Sequence, residues 1–271
     1  MAELFSVADQ VIVVTGGLGQ LGRQFSQTLA DQGARVAVLD VDARPERVAE
    51  RFGARAGDER LMFLPADVTR RDSLEAALGA IEARWGPPHG LVNNAALDSP
   101  PNAPVEETGP FETYPEWSWD KVMDVNVKGV FLCCQVFGGR MAAAGRGAII
   151  NICSTYGLVS PDQRIYDYRR ARGETFYKPV AYAASKSALL NLTRYLATYW
   201  AGRGVRVNCL TFAGVFNDQP PEFLEGYLAR VPLGRMARED EYNGAVVFLL
   251  SPAAAYMTGA NLVLDGGWTA W

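Results

Sequence analysis

The sequence predicts an α/β fold: one doubly wound domain over residues 1–271, with a seven-stranded parallel sheet and helices on both faces. Three observations carry that prediction. Short β-branched runs alternate with helical windows from one end of the chain to the other. The strand runs are continuously apolar rather than alternating, as strands buried on both faces must be. A glycine-rich turn joins the first strand run to the first helical window.

Taken in order, the strand runs are 11–15, 35–40, 61–66, 91–93, 148–153, 205–210 and 261–264. The helical windows between them show apolar residues at steps of three and four. Val122, Val125, Gly129, Leu132 and Val136 form one such stripe, and Ala181, Ala184, Ala188, Leu192, Leu196 and Tyr199 a second. Near the C-terminus Tyr242, Ala245, Val246 and Leu249 form a third. Two stretches break the rhythm, 97–117 and 160–178, and the loops expected at the substrate run over about 97–117, 155–178 and 212–232. Each follows a strand, which places it at the carboxyl edge of the sheet, where ligands bind in this architecture.

Composition narrows the chemistry. Thirty acidic residues against 26 basic give a net charge of −4, so no basic field is available for nucleic acid. No uncharged apolar run is long enough to span a bilayer, and the N-terminus has no secretory pattern. The four cysteines, Cys133, Cys134, Cys153 and Cys209, form no C-x-x-C pair and lie in apolar segments, which reads as a reduced, cytoplasmic protein. His89 is the only histidine. That excludes a multi-histidine metal site, and excludes histidine triads and dyads unless His89 itself serves. No metal is expected, and proton transfer must fall to another acid or base.

The first strand runs into Thr15-Gly16-Gly17-Leu18-Gly19-Gln20-Leu21-Gly22. Gly17, Gly19 and Gly22 satisfy G-x-G-x-x-G in a strand–turn–helix setting, the Rossmann fingerprint. Missing side chains let the backbone approach a pyrophosphate at the helix N-terminus. The second strand ends at Asp40, whose carboxylate can accept both ribose hydroxyls of an adenosine and would repel a 2′-phosphate. With no Arg in the glycine loop, and Val41 after Asp40, the expected cofactor is NAD.

On these residues the chain resembles the short-chain dehydrogenase/reductase family over essentially its full length. The resemblance is carried by the glycine loop, Asp67-Val68, Asn93-Asn94-Ala95-Ala96, Asn126, Ser154, Tyr182-Ala183-Ala184-Ser185-Lys186, Asn208, Thr258-Gly259 and Asp265-Gly266-Gly267. Tyr182 and Lys186 lie one helical turn apart on one face. A nearby ammonium favours a phenolate, so the tyrosine pKa is expected to fall toward working pH and supply an acid/base without histidine. The resemblance implies that Tyr182 exchanges a proton with the substrate hydroxyl and that Ser154 hydrogen-bonds the same oxygen. It implies that Lys186 also holds the nicotinamide ribose and that Asn126 completes a water-linked relay, a helix-interior polar residue with a purely local role being the other reading of Asn126. Gly16, Gly19, Gln20, Leu21, Asp40, Asp67, Val68, Asn94, Ala95 and Val215 are the further cofactor candidates, with a strand-end cap as the other reading of Asp67. Departures from the family pattern are Gln20 where its middle glycine usually stands, Ala96, and Phe212-Ala213 in place of Pro-Gly after the sixth strand.

Stretch 155–178 holds Arg164, Arg169, Arg170, Arg172 and Lys178 among Tyr166, Tyr168 and Tyr177. Guanidinium forks suit anions and aromatic faces suit sugar rings, so these four arginines and Tyr156 are substrate candidates; a solvated loop or a subunit contact is the other reading. Local strings here and at 215–220 resemble family members from bacterial sugar-modification pathways. The expected reaction is oxidation of a secondary or anomeric sugar hydroxyl, on a sugar carrying a phosphate, sulfonate, carboxylate or nucleotide. The alternatives are an acyl-chain or aromatic ketone reductase, and a non-catalytic dinucleotide sensor. The resemblance also implies a homotetramer or homodimer packed through the fourth and fifth helices, with Trp268 and Trp271 either reaching a neighbour or covering the sheet edge.

Overall fold

The computed structural model describes residues 2–98 and 104–271. Residues 99–103, within the expected substrate loop 97–117, lie outside the described residues. Seven strands form one sheet: β1 (Val11–Thr15), β2 (Arg35–Asp40), β3 (Leu61–Pro65), β4 (Gly90–Asn93), β5 (Gly147–Ser154), β6 (Val205–Phe212) and β7 (Asn261–Leu264). Their order is β3-β2-β1-β4-β5-β6-β7 and every pairing is parallel. The order reverses between β1 and β4, which opens a crevice at their carboxyl ends.

The helices are α1 (Gln20–Asp31), α2 (Pro45–Phe52), α3 (Arg71–Trp85), α4 (Glu116–Ala143), α5 (Asp167–Ala171), α6 (Val180–Trp200), α7 (Pro221–Leu228) and α8 (Asn243–Leu250). The sheet has a core on each face, which is why its strands do not alternate. Val11, Val13, Ala37 and Leu91 pack toward α3, α4 and α6, while Ile12, Val14, Val36 and Val92 pack toward α1 and α8.

Two boundaries differ usefully from expectation. β5 and β6 pair in register as far as Ser154↔Phe212, beyond the expected ends at 153 and 210, so the ladder itself carries Ser154 to the lip of the crevice. α4 is one continuous helix with π-helical turns at Asp124–Gly129 and Cys134–Gly138. By length and composition α4 could cross a bilayer, yet 56% of its most apolar window is buried in the fold, as in a core helix. Gly138 permits the close approach: a Cβ there would stand 2.7 Å from the Trp200 ring of α6.

Stretch 155–178 is built rather than loose. Short turns at Gln163–Tyr166 and α5 bring Ile165, Tyr166 and Phe176 against Tyr227, Val231, Met236 and Trp268, a third small core above the sheet edge. Trp268 is buried inside its own chain and Trp271 is exposed.

Candidate active site

The glycine loop is a cradle with no room for a Cβ at Gly16, Gly17 or Gly22. Gly16 has φ +60°, and a Cβ on it would stand 2.8 Å from the Ala95 Cα; one on Gly22 would stand 2.8 Å from the Gly17 Cα. The Asn94 side-chain amide donates to the carbonyls of Thr15 (3.0 Å) and Gly16 (3.1 Å), and the Thr15 hydroxyl accepts from the N–H groups of Asn94 and Ala95. Asn94 therefore positions the loop with its side chain. Gly19 caps α1 without a side chain, leaving the helix N-terminus open at the crevice. At the end of β2 the Asp40 carboxylate accepts from Leu18 N (3.1 Å) and Asp42 N (3.2 Å), which fixes it beside the cradle. Asp67 caps the turn into α3 by accepting from the N–H and hydroxyl of Thr69, and Val68 packs against Gly129. A small-residue cradle, an open helix N-terminus and a fixed carboxylate together fit the pyrophosphate and ribose of a dinucleotide.

On the other side of the crevice, Val215 bridges to Ala237 through the neighbouring peptide groups of Gly214 and Phe216. Its own peptide faces away from that bridge, with its carbonyl taken by Gln219 Nε2 at 3.0 Å. Gln20, the departure from the family pattern, reaches across to the Phe216 carbonyl at 3.4 Å.

Ser154, Tyr182 and Lys186 come together where β5 ends beneath α6. Tyr182 lies beside Ser154, whose Oγ accepts from Tyr156 N at 3.2 Å and whose presence favours the phenolate. The Lys186 ammonium is buried and donates to the Ile152 carbonyl at 2.9 Å, 5.8 Å from the Tyr182 ring centroid. The expected depression of the tyrosine pKa does not occur in the protein alone. Burial raises the Tyr182 pKa, the Asp98 carboxylate adds to that, and Ser154 only partly opposes it. Burial also lowers the Lys186 pKa. The reason is that Lys186 points at a carbonyl in a dry site, so desolvation exceeds attraction. Asn126 is near but committed: its amide donates to the Leu97 carbonyl (2.9 Å) and Ser185 Oγ (3.0 Å) and accepts from Leu97 N (2.7 Å). Ser185 in turn donates to the Tyr182 carbonyl. The Asn126 side chain thus ties α4 to Leu97 and to the first turns of α6.

Tyr182 opens onto a cavity of about 600 Å³ bordered by Gln20, Leu21, Asp98, Ser154, Tyr156, Tyr166, Lys178, Val215, Asn217, Gln219, Phe223 and Tyr227. None of the four predicted arginines borders it. Arg164 is spent on Asp162 (2.9 Å), Arg169 on Glu174 (2.6 Å) and the Phe176 ring, and Arg172 on Glu222 and the Tyr168 ring. Arg170 pairs with Asp167 and donates to the carbonyls of Gln163 and Phe176. The anion contacts expected of them are not met by their placement, because each guanidinium is satisfied within its own segment or by α7. Sequence reasoning passed over Asp98 and left Lys178 unassigned among the basic residues. The available signals were a carboxylate two positions after the Asn-Asn-Ala-Ala run and the scarcity of lysine in an arginine-rich chain.

His89 lies at the opposite edge of the sheet, where its Nδ1 accepts from Val11 N at 3.1 Å. All four cysteines are free and buried.

A family model described as enoyl-(acyl carrier protein) reductase matches residues 19–269. The chain is 35% identical to D-threitol dehydrogenase of Mycolicibacterium smegmatis, over 98% of this chain and 95% of that protein. It is also 35% identical to galactitol 2-dehydrogenase (L-tagatose-forming) of Cereibacter sphaeroides, over 99% and 98% of the two chains. Among solved structures it resembles a short-chain dehydrogenase from Leptospira borgpetersenii with bound NAD+, with a TM-score of 0.84 and 31% identity, covering 97% of this chain and 94% of that one.

Proposed function

Since the chain belongs to the short-chain dehydrogenase/reductase family, we propose that it oxidises a secondary hydroxyl of a neutral polyol or sugar alcohol, with NAD as hydride acceptor and Tyr182 as general base. The observation that carries the reading is the cavity wall. The described residues bordering the cavity of Tyr182 and Ser154 include Tyr156, Tyr166, Asn217, Gln219 and the Asp98–Lys178 pair beside apolar Leu21, Leu97, Phe212, Phe223 and Met236, and none of them is an arginine. Such a wall suits many neutral hydroxyls, each of which both donates and accepts.

NAD, when bound, supplies the carbon that accepts hydride. Tyr182 Oη removes the hydroxyl proton while Ser154 Oγ hydrogen-bonds the same oxygen, holding the carbinol in place. Lys186 stands behind the tyrosine with its Nζ anchored on the Ile152 carbonyl, and the Asn126–Ser185 contacts hold the helix turn that aims it. Because burial raises the Tyr182 pKa, oxidation at limiting substrate should rise as pH increases above neutrality. Two or four copies are proposed to pack through the outer faces of α4 and α6.

NADH formation followed at 340 nm should show turnover of D-threitol and galactitol and little with gluconate, and it should increase from pH 7 to pH 10. Tyr182→Phe should lower kcat by at least about a hundredfold while NADH still binds by fluorescence titration. Turnover of gluconate with none of the neutral polyols would overturn the neutral-substrate reading.

A further inference from the structure

We propose that Asp98 and Lys178 form a substrate-reading pair that selects for a second hydroxyl on the carbon next to the one oxidised. The inference deepens the dehydrogenase reading above and rests on it. Lys178 Nζ stands 2.5 Å from Asp98 Oδ1, and both residues border the cavity that holds Ser154 and Tyr182. Among the described residues bordering that cavity they supply its one carboxylate and its one ammonium.

The two partners are unequal. The Lys178 side chain is 9% exposed and that of Asp98 53%. Lys178 is also held by its main chain, since its N–H donates to Gln163 Oε1 at 2.8 Å and its carbonyl accepts from Gln163 Nε2 at 3.0 Å. Its ammonium lies 5.0 Å from the Tyr182 ring centroid. A buried, clamped ammonium fixes the carboxylate it pairs with, and both groups border the cavity.

The charge arithmetic decides what the pair can read. Carboxylate and ammonium cancel, so the wall offers no net cation to an anionic group, and an entering carboxylate would face Asp98. A hydroxyl can donate to Asp98 and accept from Lys178 at once. With the pair beside Tyr182, the hydroxyl that reaches it belongs to the neighbouring carbinol of the carbon whose own hydroxyl meets Tyr182. A substrate without that hydroxyl sets a methyl group against the buried ammonium and its carboxylate, forfeiting hydrogen bonds to charged groups.

The test compares kcat/KM for butane-2,3-diol and butan-2-ol, with NAD, in the wild-type protein and in Asp98→Asn. The wild type should prefer the diol, and Asp98→Asn should reduce that ratio by about tenfold or more, as expected for loss of a hydrogen bond to a charged group. A second readout separates substrate reading from a packing effect. Tyr182 is faced by Lys178, Lys186, Asp98, Cys153 and Tyr156 besides Ser154, and Asp98 supplies the largest charge contribution raising its pKa. Asp98→Asn should therefore move the acid limb of the butan-2-ol profile to lower pH. A collapsed ratio together with that shift supports the pair. A ratio that stays put overturns it, whether or not the limb moves, because Asp98 then acts on Tyr182 and not on substrate. If the wild type turns over both alcohols without preferring the diol, the inference falls and the dehydrogenase reading stands; if it turns over neither these nor the longer polyols, both fall.

Discussion

Both oxygens of the Asp40 carboxylate already accept a backbone N–H, from Leu18 and from Asp42, and that is what makes it a usable ribose acceptor. A carboxylate has about four acceptor positions, so two bonds from the loop fix its plane and leave others toward the crevice. Asp40→Ala should raise the KM for NAD by about tenfold or more, from hydrogen bonds to a charged acceptor. It should also lower the ratio of kcat/KM with NAD to that with NADP by at least as much, since the charge that opposes a 2′-phosphate is gone. A ratio that stays constant while KM rises would mean that Asp40 serves only the Leu18 turn. The residues legible in the sequence are of this kind. Asp40 ends a strand, Tyr182 and Lys186 are one helical turn apart, and Gly16, Gly17 and Gly22 occupy a turn that tolerates nothing larger. Asp98 and Lys178 were not legible because they are eighty positions apart and meet only once the strand order brings the loops after β4 and β5 to one lip. The direction of the Tyr182 pKa was missed for a related reason. Spacing places the ammonium on the right face, but burial and the Asp98 charge are properties of the assembled pocket.

At the scale of elements, stretch 155–178 shows how sequence pattern can mislead without being wrong. It was expected to be a substrate loop, and Tyr156, Tyr166 and Lys178 do border the cavity. Its arginines, however, hold the segment to itself. Arg170 donates to the carbonyls of Phe176 (2.7 Å) and Gln163 (2.6 Å) and lies 5.0 Å from the Tyr177 ring centroid, which ties the two ends of the segment together. No helical or strand period announces this, because Tyr166 and Phe176 meet across a polar stretch through a turn. Arg170→Ala should destabilise the protein by about 1–3 kcal/mol, from the loss of charge-assisted bonds to half-buried carbonyls. A fall of about 2–4 °C in Tm per kcal/mol is expected for a chain of this size. Proteolysis within 160–178 should become faster, while the preference for neutral over anionic substrates stays as it was. A change in that preference at constant Tm would return Arg170 to the substrate site.

For the whole molecule, the apolar stripe on α6 is buried less completely than the one on α4. On α4 the stripe goes inward: Val122, Gly129, Leu132 and Val136 are buried. On α6 Ala181 and Leu196 of the expected stripe are buried, but the other buried positions are Ser185, Lys186, Leu189, Thr193, Ala197 and Trp200, outside that stripe. Ala184, Ala188 and Leu192 are only half-buried, and Tyr195 and Tyr199 stack on each other at 62% and 55% exposure, while Phe131 of α4 is 44% exposed. A helix whose second face is small near one end and aromatic near the other lets another helix approach closely and then buries large rings. A stable interface needs on the order of 800 Å² from each partner, an area that long faces of two adjacent helices can supply. Sedimentation equilibrium at micromolar concentration should therefore show a dimer or tetramer. Tyr195→Glu with Tyr199→Glu should shift it toward monomer, because both substitutions bring like charges together across an interface that desolvates them. A wild-type monomer would overturn this, and so would an assembly indifferent to the double substitution. Since α6 also carries Tyr182 and Lys186 and α4 carries Asn126, loss of assembly should appear in kcat as well as in mass, by loosening the two helices that aim the catalytic groups.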